Sequence, residues 1–269
     1  MVISYDELAD QFNERYRYQS FPGIQAWLRQ LAAGPATPRL LEVGCGTGHW
    51  LNVLSDLPVE LVGIDPSRPM LERSHARATR AQLVCAPAES MSFQAQCFDL
   101  IFCVNAFHHF SDPMKFLRDS RLLLKNTGRL AIFGLDPHAP GTGWYLYHYF
   151  PGVRNADLRR YLATTELKRL LVEAGYINVS SEPAQHIQKV FTGDEVFQDT
   201  FLVRESTSQL LLISEQAYRE GRQAISAAVE KAQREQRSLA FRIDLTLFGT
   251  VAETSNSEST VQSKPIPEP

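Results

Sequence analysis

Little in this chain points away from an ordinary globular domain. Its 269 residues include only four cysteines, and none forms a Cys-x-x-Cys pair. That excludes a zinc ribbon or a disulfide framework as the organising principle. Cys45, Cys85 and Cys103 lie in or beside apolar runs, so they read as small buried thiols in a reducing cytoplasm. No apolar run is long enough to cross a bilayer. The first ten residues carry Asp6, Glu7 and Asp10 with no apolar centre, unlike a signal peptide. Charge of neither sign dominates: 27 Lys and Arg face 30 Asp and Glu. A basic stripe is also missing, so nothing predicts a nucleic-acid or membrane partner. No acidic cluster reads as a magnesium site, and no segment repeats.

What is present begins at Arg39. Leu40, Leu41 and Val43 form an apolar strand that runs into glycines at alternate positions, Gly44, Gly46 and Gly48. Glycine lacks a Cβ and accepts positive φ, which suits a tight turn where backbone must approach a ligand closely. The turn opens into a helix, whose free N–H groups favour an anionic or polar ligand. Asp65 follows about twenty residues later, at the end of a second apolar run. That is the distance at which a carboxylate meets a ribose in doubly wound nucleotide-binding folds.

The same alternation continues. Strands are predicted at 39–44, 59–65, 82–85, 98–105 and 129–135. Helices are predicted between them at 48–57, 67–79 and 111–125, the last capped by Ser111 and Asp112 with Pro113 in its first turn. Leu100 to Val104 is continuously apolar, as in a parallel strand buried on both faces. This order predicts an α/β sheet covered by helices. Helices at 4–18 and 23–33 precede it, and Gly34-Pro35 separates them from the main domain. Two insertions interrupt the later part. Residues 136–160 are dense in aromatics, and 193–237 carry a long helix from 214 to 236. A helix at 164–174 and a strand from 176 lie between them. Residues 241–247 alternate apolar and polar at period two, which predicts a last antiparallel strand at or near a sheet edge. Beyond about Ala252 the composition predicts a disordered tail.

Glu42-Val43-Gly44-Cys45-Gly46-Thr47-Gly48 closely resembles the first motif of class I S-adenosylmethionine-dependent methyltransferases. Val62-Gly63-Ile64-Asp65-Pro66-Ser67 is similar to their second motif, and Ala86-Pro87-Ala88-Glu89 to the adenine-side motif. Phe98-Asp99-Leu100-Ile101 through Ala106-Phe107-His108-His109-Phe110 resembles the strand-four motif of the small-molecule, ubiquinone-biosynthesis-like branch. Leu122 to Leu130 resembles the approach to strand five. The five motifs fall in the family's order over 39–135. Pro87 stands where the family has Asp, and Asn126-Thr127 replaces its usual Lys-Pro.

The resemblance implies a Rossmann-like seven-stranded sheet, mostly parallel with an antiparallel last strand, helices on both faces and helical cap insertions. It implies S-adenosyl-L-methionine as cofactor, no metal, and a small, partly apolar acceptor methylated on O, N or C. The family's cofactor contacts fall on Glu42, Gly44, Cys45, Gly46, Gly48, Asp65, Pro66, Ala88, Glu89, Asn105 and Ala106. Phe12-Asn13 stands where Tyr-Asp is common, so Tyr16 is the substitute candidate for capping the cofactor. In that scheme Glu42 anchors the ammonium, Asp65 the ribose hydroxyls and Glu89 the adenine amino group. The competing structural roles are an Arg partner for Glu42, a helix cap for Asp65 and a solvated loop for Glu89.

His108, His109 and His148 are the candidate bases, since histidine titrates near neutrality. Packing on the following helix is the rival role for the first two. Residues 144–150 are the candidate acceptor pocket. A nicotinamide or flavin oxidoreductase fits less well, because its turn needs Gly-x-Gly-x-x-Gly and here His49 occupies the last glycine's place. A non-catalytic binding module on the same fold is a further alternative. A methyltransferase of macromolecules is another, although Asn105 is followed by Ala106-Phe107 rather than Pro-Pro-Tyr.

Overall fold

The computed structural model describes residues 20–33, 37–77 and 80–254. The helix expected at 4–18, with Tyr16, and residues 255–269 lie outside the described residues. One sheet organises the rest. Its strands are β1 (Arg39–Val43), β2 (Glu60–Asp65), β3 (Gln82–Cys85), β4 (Phe98–Val104), β5 (Leu124–Leu135), β6 (Gly143–Trp144), β7 (Tyr176–Thr192) and β8 (Ala240–Thr254). They are ordered β3-β2-β1-β4-β5-β8, with β7 beyond β8 and the short β6 continuing beside β8. Neighbours from β3 to β5 run parallel, and β8 runs antiparallel to β5, β6 and β7.

The sequence expectation of an α/β sheet with an antiparallel last strand holds, with three differences. The sheet has eight strands rather than seven, because Gly143 and Trp144 add a short pairing to Asp244 and Ile243. The strand from Tyr176 is 17 residues long and pairs along the whole of β8. It bends at two register shifts, one at Pro183, where a missing N–H is tolerated. Finally, β8 continues past Ala252 to Thr254, whose hydroxyl donates to the Lys125 and Asn126 carbonyls at 2.8 Å.

Strand residues alternate between two cores, as a pleated sheet dictates. Leu40, Leu61, Leu100, Phe102 and Phe133 face one side. There they meet Ile24 and Leu28 of α1 (Pro22–Ala32), Trp50 and Leu51 of α2 (His49–Val53), and Leu71 of α3 (Arg68–Arg77). Leu41, Val43, Ile64, Ile101 and Cys103 face the other. They pack on Phe116 and Leu117 of α4 (Pro113–Leu123) and Leu167 and Leu171 of α7 (Thr164–Glu173). The helix α4 starts as its sequence predicts: Asp112 accepts from Lys115 N–H and Pro113 fills the first turn.

The insertions extend the first core. The first forms α5 (Tyr145–Tyr149) and α6 (Val153–Arg160). The second winds through three short 3₁₀ turns into α8 (Ser208–Leu211) and α9 (Glu215–Arg234). Tyr145, Leu146, Phe150, Val196, Leu202, Leu210, Ile225 and Val229 are buried there against the inner face of β8. The cysteine expectation holds in part. Cys45 and Cys103 are buried, whereas Cys85 is exposed because β3 is the sheet's outer strand, and Cys97 is half-buried.

Candidate functional site

The carboxyl ends of β1, β2 and β4 meet at the glycine turn. Gly44 and Cys45 N–H both donate to the Ile64 carbonyl, at 2.8 and 3.0 Å. Gly44 has φ +72°, and a Cβ there would lie 2.6 Å from the Ala106 Cβ at the end of β4. Only glycine lets β1 and β4 approach this closely. Gly46 also has positive φ, +51°, but a Cβ there would meet nothing among the described residues within 4 Å. Its backbone thus borders open space, where a ligand can lie against the turn. We expect Gly44→Ala to destabilise the fold by about 3 kcal/mol, from left-handed strain plus overpacking. Gly46→Ala should cost only about 1 kcal/mol, from strain alone. Urea unfolding midpoints of the two variants test this ordering.

Glu42, one residue before the turn's entry, is 1% exposed. Among the described residues its Oε2 has no hydrogen-bond partner and no arginine pairs with it. Burial pushes its carboxyl well above the ordinary range. A hydrogen bond from the Leu51 backbone opposes this, and the charge of Asp65 adds to it. A folded-state pKa above the unfolded value means the native state holds the extra proton. Stability should therefore fall as pH rises above the ordinary glutamate range, by at most about 1.4 kcal/mol per unit, until the folded pKa is passed. Glu42→Gln should remove this part of the slope. Thermal melts of both proteins from pH 4 to pH 8 check it.

Asp65 ends β2 and is buried. Its Oδ2 accepts from Gly46 N–H at 2.8 Å and its Oδ1 from Ser67 N–H at 2.9 Å. The helix cap weighed for this residue is supplied instead by Ser67, whose Oγ accepts from Met70 N–H at 3.3 Å, while Asp65 closes a turn onto Ser67 and clamps the glycine turn. Pro66 beside it is exposed, and Ala88 is buried in the second core.

Glu89 accepts at Oε1 from Ser111 N–H at 2.5 Å, Ser111 Oγ at 2.9 Å and Asp112 N–H at 3.1 Å. Burial raises its pKa, but these bonds outweigh that and hold the carboxyl below the usual range. The carboxylate serves the orphan N–H groups before α4. It forms a strut between two loops through Oε1, and this is where the structure places the residue that the resemblance gives to the adenine amino group.

Asn105 leaves β4 with φ +52°, and its N–H donates to the Phe133 carbonyl at 2.8 Å. The left-handed step turns the chain into the short 3₁₀ turn Phe107–His109. His108 is half-buried, 4.0 Å from the Tyr161 ring in a stacked arrangement and 3.9 Å from the His109 ring. His109 is exposed. Both border a cleft enclosing about 700 Å³, open solvent at its mouth included. Its lining is mixed: Asn105, His108, His109, Tyr161 and the run Ser206 to Gln209 are polar, and Phe21, Leu135, Trp144, Ile187, Phe201, Leu245 and Leu247 are apolar.

His148 does not belong to this constellation. It is exposed on α5, its ring near Tyr149, while Tyr145, Leu146 and Phe150 of the same segment turn into the core. The aromatic segment 144–150, the candidate acceptor pocket, contributes to the cleft at one position. Only its Trp144 lines the cleft, and the hydroxyls of Tyr145 and Tyr147 donate to the buried Asp199 and Asp157. Sequence reading missed Tyr161 and Ser206 to Gln209. They stand in unremarkable polar stretches and reach the cleft only through the packing of the insertions.

Comparisons with known proteins agree with this geometry. Residues 41–132 match the family described as a methyltransferase domain. The demethylmenaquinone methyltransferase of Thermotoga maritima is 28% identical over 220 residues, 72% of this chain and 95% of that protein. A protein of Anabaena variabilis, named as an antibiotic-pathway methyltransferase, superposes with a TM-score of 0.70 at 18% identity, covering 87% of this chain and 97% of its own. Phosphoethanolamine N-methyltransferase 2 of Haemonchus contortus, solved with S-adenosylhomocysteine, superposes at 0.56 with 17% identity, covering 94% and 61%. At these identities the two structures speak for the fold. The match over residues 41–132, the names of the relatives and the shared fold together support an S-adenosylmethionine-dependent methyltransferase.

Proposed function

We propose that this enzyme methylates a small, partly apolar metabolite held in the cleft between β4, β8 and the insertions. The observation that carries this reading is the cleft itself. It combines two histidines and other polar groups with apolar side chains, at the carboxyl end of the sheet where ligands of open α/β folds bind. The Thermotoga relative is named for a small-molecule acceptor. None of the described helices is long and apolar enough to cross a membrane. Four free cysteines suit a reducing, cytoplasmic setting.

The residues around the glycine turn fit S-adenosylmethionine. Glu42 offers a buried acceptor oxygen with no partner among the described residues, which a cationic amino group would satisfy. Asp65, at the end of β2, stands where a carboxylate meets a ribose in such folds. Gly46 leaves open space, and Gly44, Cys45 and Gly48 shape the turn around it. Ala88, Pro66, Asn105 and Ala106 frame the remaining edges. When bound there, the cofactor supplies an electrophilic methyl group on a sulfonium.

The chain's own part is alignment, exclusion of water and control of one proton. Asn105 and the end of β4 set the approach line of the acceptor. Phe201, Trp144 and Leu247 exclude water from its apolar part. His108 takes the acceptor's proton at a ring nitrogen, since it is half-buried and held in place by its neighbours. His109 serves the same end from a more exposed position. The insertions thus act as a roof that sets specificity.

A mass-spectrometric search of metabolite extracts incubated with the protein and S-adenosylmethionine tests the proposal. Products heavier by one CH₂, formed with S-adenosylhomocysteine, are expected among small metabolites. Methyl incorporation into RNA or protein alone would overturn it.

A further inference from the structure

Behind the polar residues of the cleft lies a buried network that the reading above leaves unused. Asp157 of α6 is completely buried. Its Oδ1 accepts from Arg160 Nη2 at 2.8 Å and its Oδ2 from Tyr147 Oη at 2.9 Å. The Gln209 side chain also reaches this carboxylate. Gln209 in turn donates from Nε2 to Tyr161 Oη at 3.3 Å, and Arg160 donates from Nη1 to Ser208 Oγ at 3.3 Å. The Arg160 guanidinium sits 5.4 Å from the Tyr161 ring centre. The Tyr161 backbone is held too, its carbonyl 3.0 Å from His138 Nε2. On the side facing the cleft, the Tyr161 ring stacks on His108 with an interplanar angle of 23°.

Burying an isolated carboxylate is costly, and a plain structural strut needs no such arrangement. Burial raises the Asp157 carboxyl, and the bonds from Arg160, Tyr147 and Gln209 oppose that rise. The result is a hub joining three segments: α5 through Tyr147, α6 with the Tyr161 that follows it, and the start of α8 in the second insertion. Three of its members, Tyr161, Ser208 and Gln209, line the same cleft as His108.

We propose that Tyr161 is a positioning residue that fixes the ring plane of His108, and that the Asp157–Arg160–Gln209 hub fastens Tyr161 and the polar residues Ser208 and Gln209 of the cleft as one unit. The proposal rests on His108 being the base. An imidazole takes a proton efficiently only when a ring nitrogen points along the line of the reacting hydroxyl or amine. The Tyr161 face restricts that rotation. Because the hub also holds Ser208 and Gln209, the group that contacts the acceptor and the group that takes its proton keep a fixed separation.

The test uses the full chain with histidine labelled for NMR, with S-adenosylhomocysteine bound, and with extract-derived acceptor in the rate assay. Stacking on a tyrosine face shifts the His108 ring protons upfield. Tyr161→Leu should abolish that shift and lower kcat about 30-fold, with KM changing less than threefold. Tyr161→Phe keeps the ring and should keep the shift and at least a third of the rate. Gln209→Leu should broaden the His108 signals and give an intermediate rate. Unchanged S-adenosylhomocysteine affinity in each variant shows that the fold is intact. His108 resonances that stay at wild-type positions in Tyr161→Leu, or a loss confined to KM, would overturn the proposal. Full activity in His108→Ala together with the expected resonance shifts would instead remove His108 as the base and leave the positioning geometry standing.

Discussion

Asp65→Ala should weaken S-adenosylmethionine binding about 30-fold, close to 2 kcal/mol, the range for losing charge-assisted hydrogen bonds. The carboxylate ends β2 and already clamps the turn through Gly46 N–H while capping Ser67 N–H. Its removal thus acts twice: the ribose hydroxyls lose their acceptor and the glycine turn loses its tether. Asp65→Asn separates the effects. An amide keeps one acceptor oxygen but not two, so one backbone clamp survives and the affinity loss should be intermediate. Isothermal titration of both variants, with unfolding curves of the unliganded proteins, checks the prediction. Unchanged affinity in Asp65→Ala would place the ribose elsewhere.

His108→Ala should lower kcat about 100-fold, the lower end of what a positioned general base contributes, while leaving the cofactor dissociation constant within twofold. The geometry that motivates this is asymmetric. His108 is half-buried between the His109 and Tyr161 rings, whereas His109 is exposed and His148 lies outside the cleft. His109→Ala should therefore cost no more than about fivefold, since an exposed side chain with rotamer freedom is a poorly oriented base. His148→Ala should cost nothing. Steady-state rates with the acceptor from the extract search distinguish the three. Equal losses at all three histidines would mean the acceptor is not deprotonated at the end of β4.

The sheet was legible because local chemistry and global fold agree in it. Leu40-Leu41, Leu61-Val62 and Leu100 to Val104 feed both cores at once, so continuous apolar runs could only be parallel strands buried on two faces. The glycine turn was legible for a similar reason: positive φ and close approach leave one residue type. Glu42 was legible as an oddity, an acidic residue in an apolar strand, and its burial without an arginine partner among the described residues accords with that reading.

What was not legible depends on tertiary packing. Glu89 carries the same side chain whether it faces adenine or the N–H groups of Ser111 and Asp112, and only the fold brings α4 to it. The aromatics 144–150 look like a pocket in sequence, yet most of them fill the core under α9 and β8. Tyr161, Ile187, Ser208 and Leu245 share one cleft although they come from distant segments, and no spacing rule links them.

In the proposed function the turn between β1 and α2, with Glu42 and Asp65, receives S-adenosylmethionine. Calorimetric titration of the full chain with S-adenosylmethionine and, separately, with NAD tests it most directly. One-to-one saturable binding of S-adenosylmethionine with no heat from NAD is the predicted result. Binding of NAD at comparable affinity, or failure of S-adenosylmethionine to bind, would contradict it.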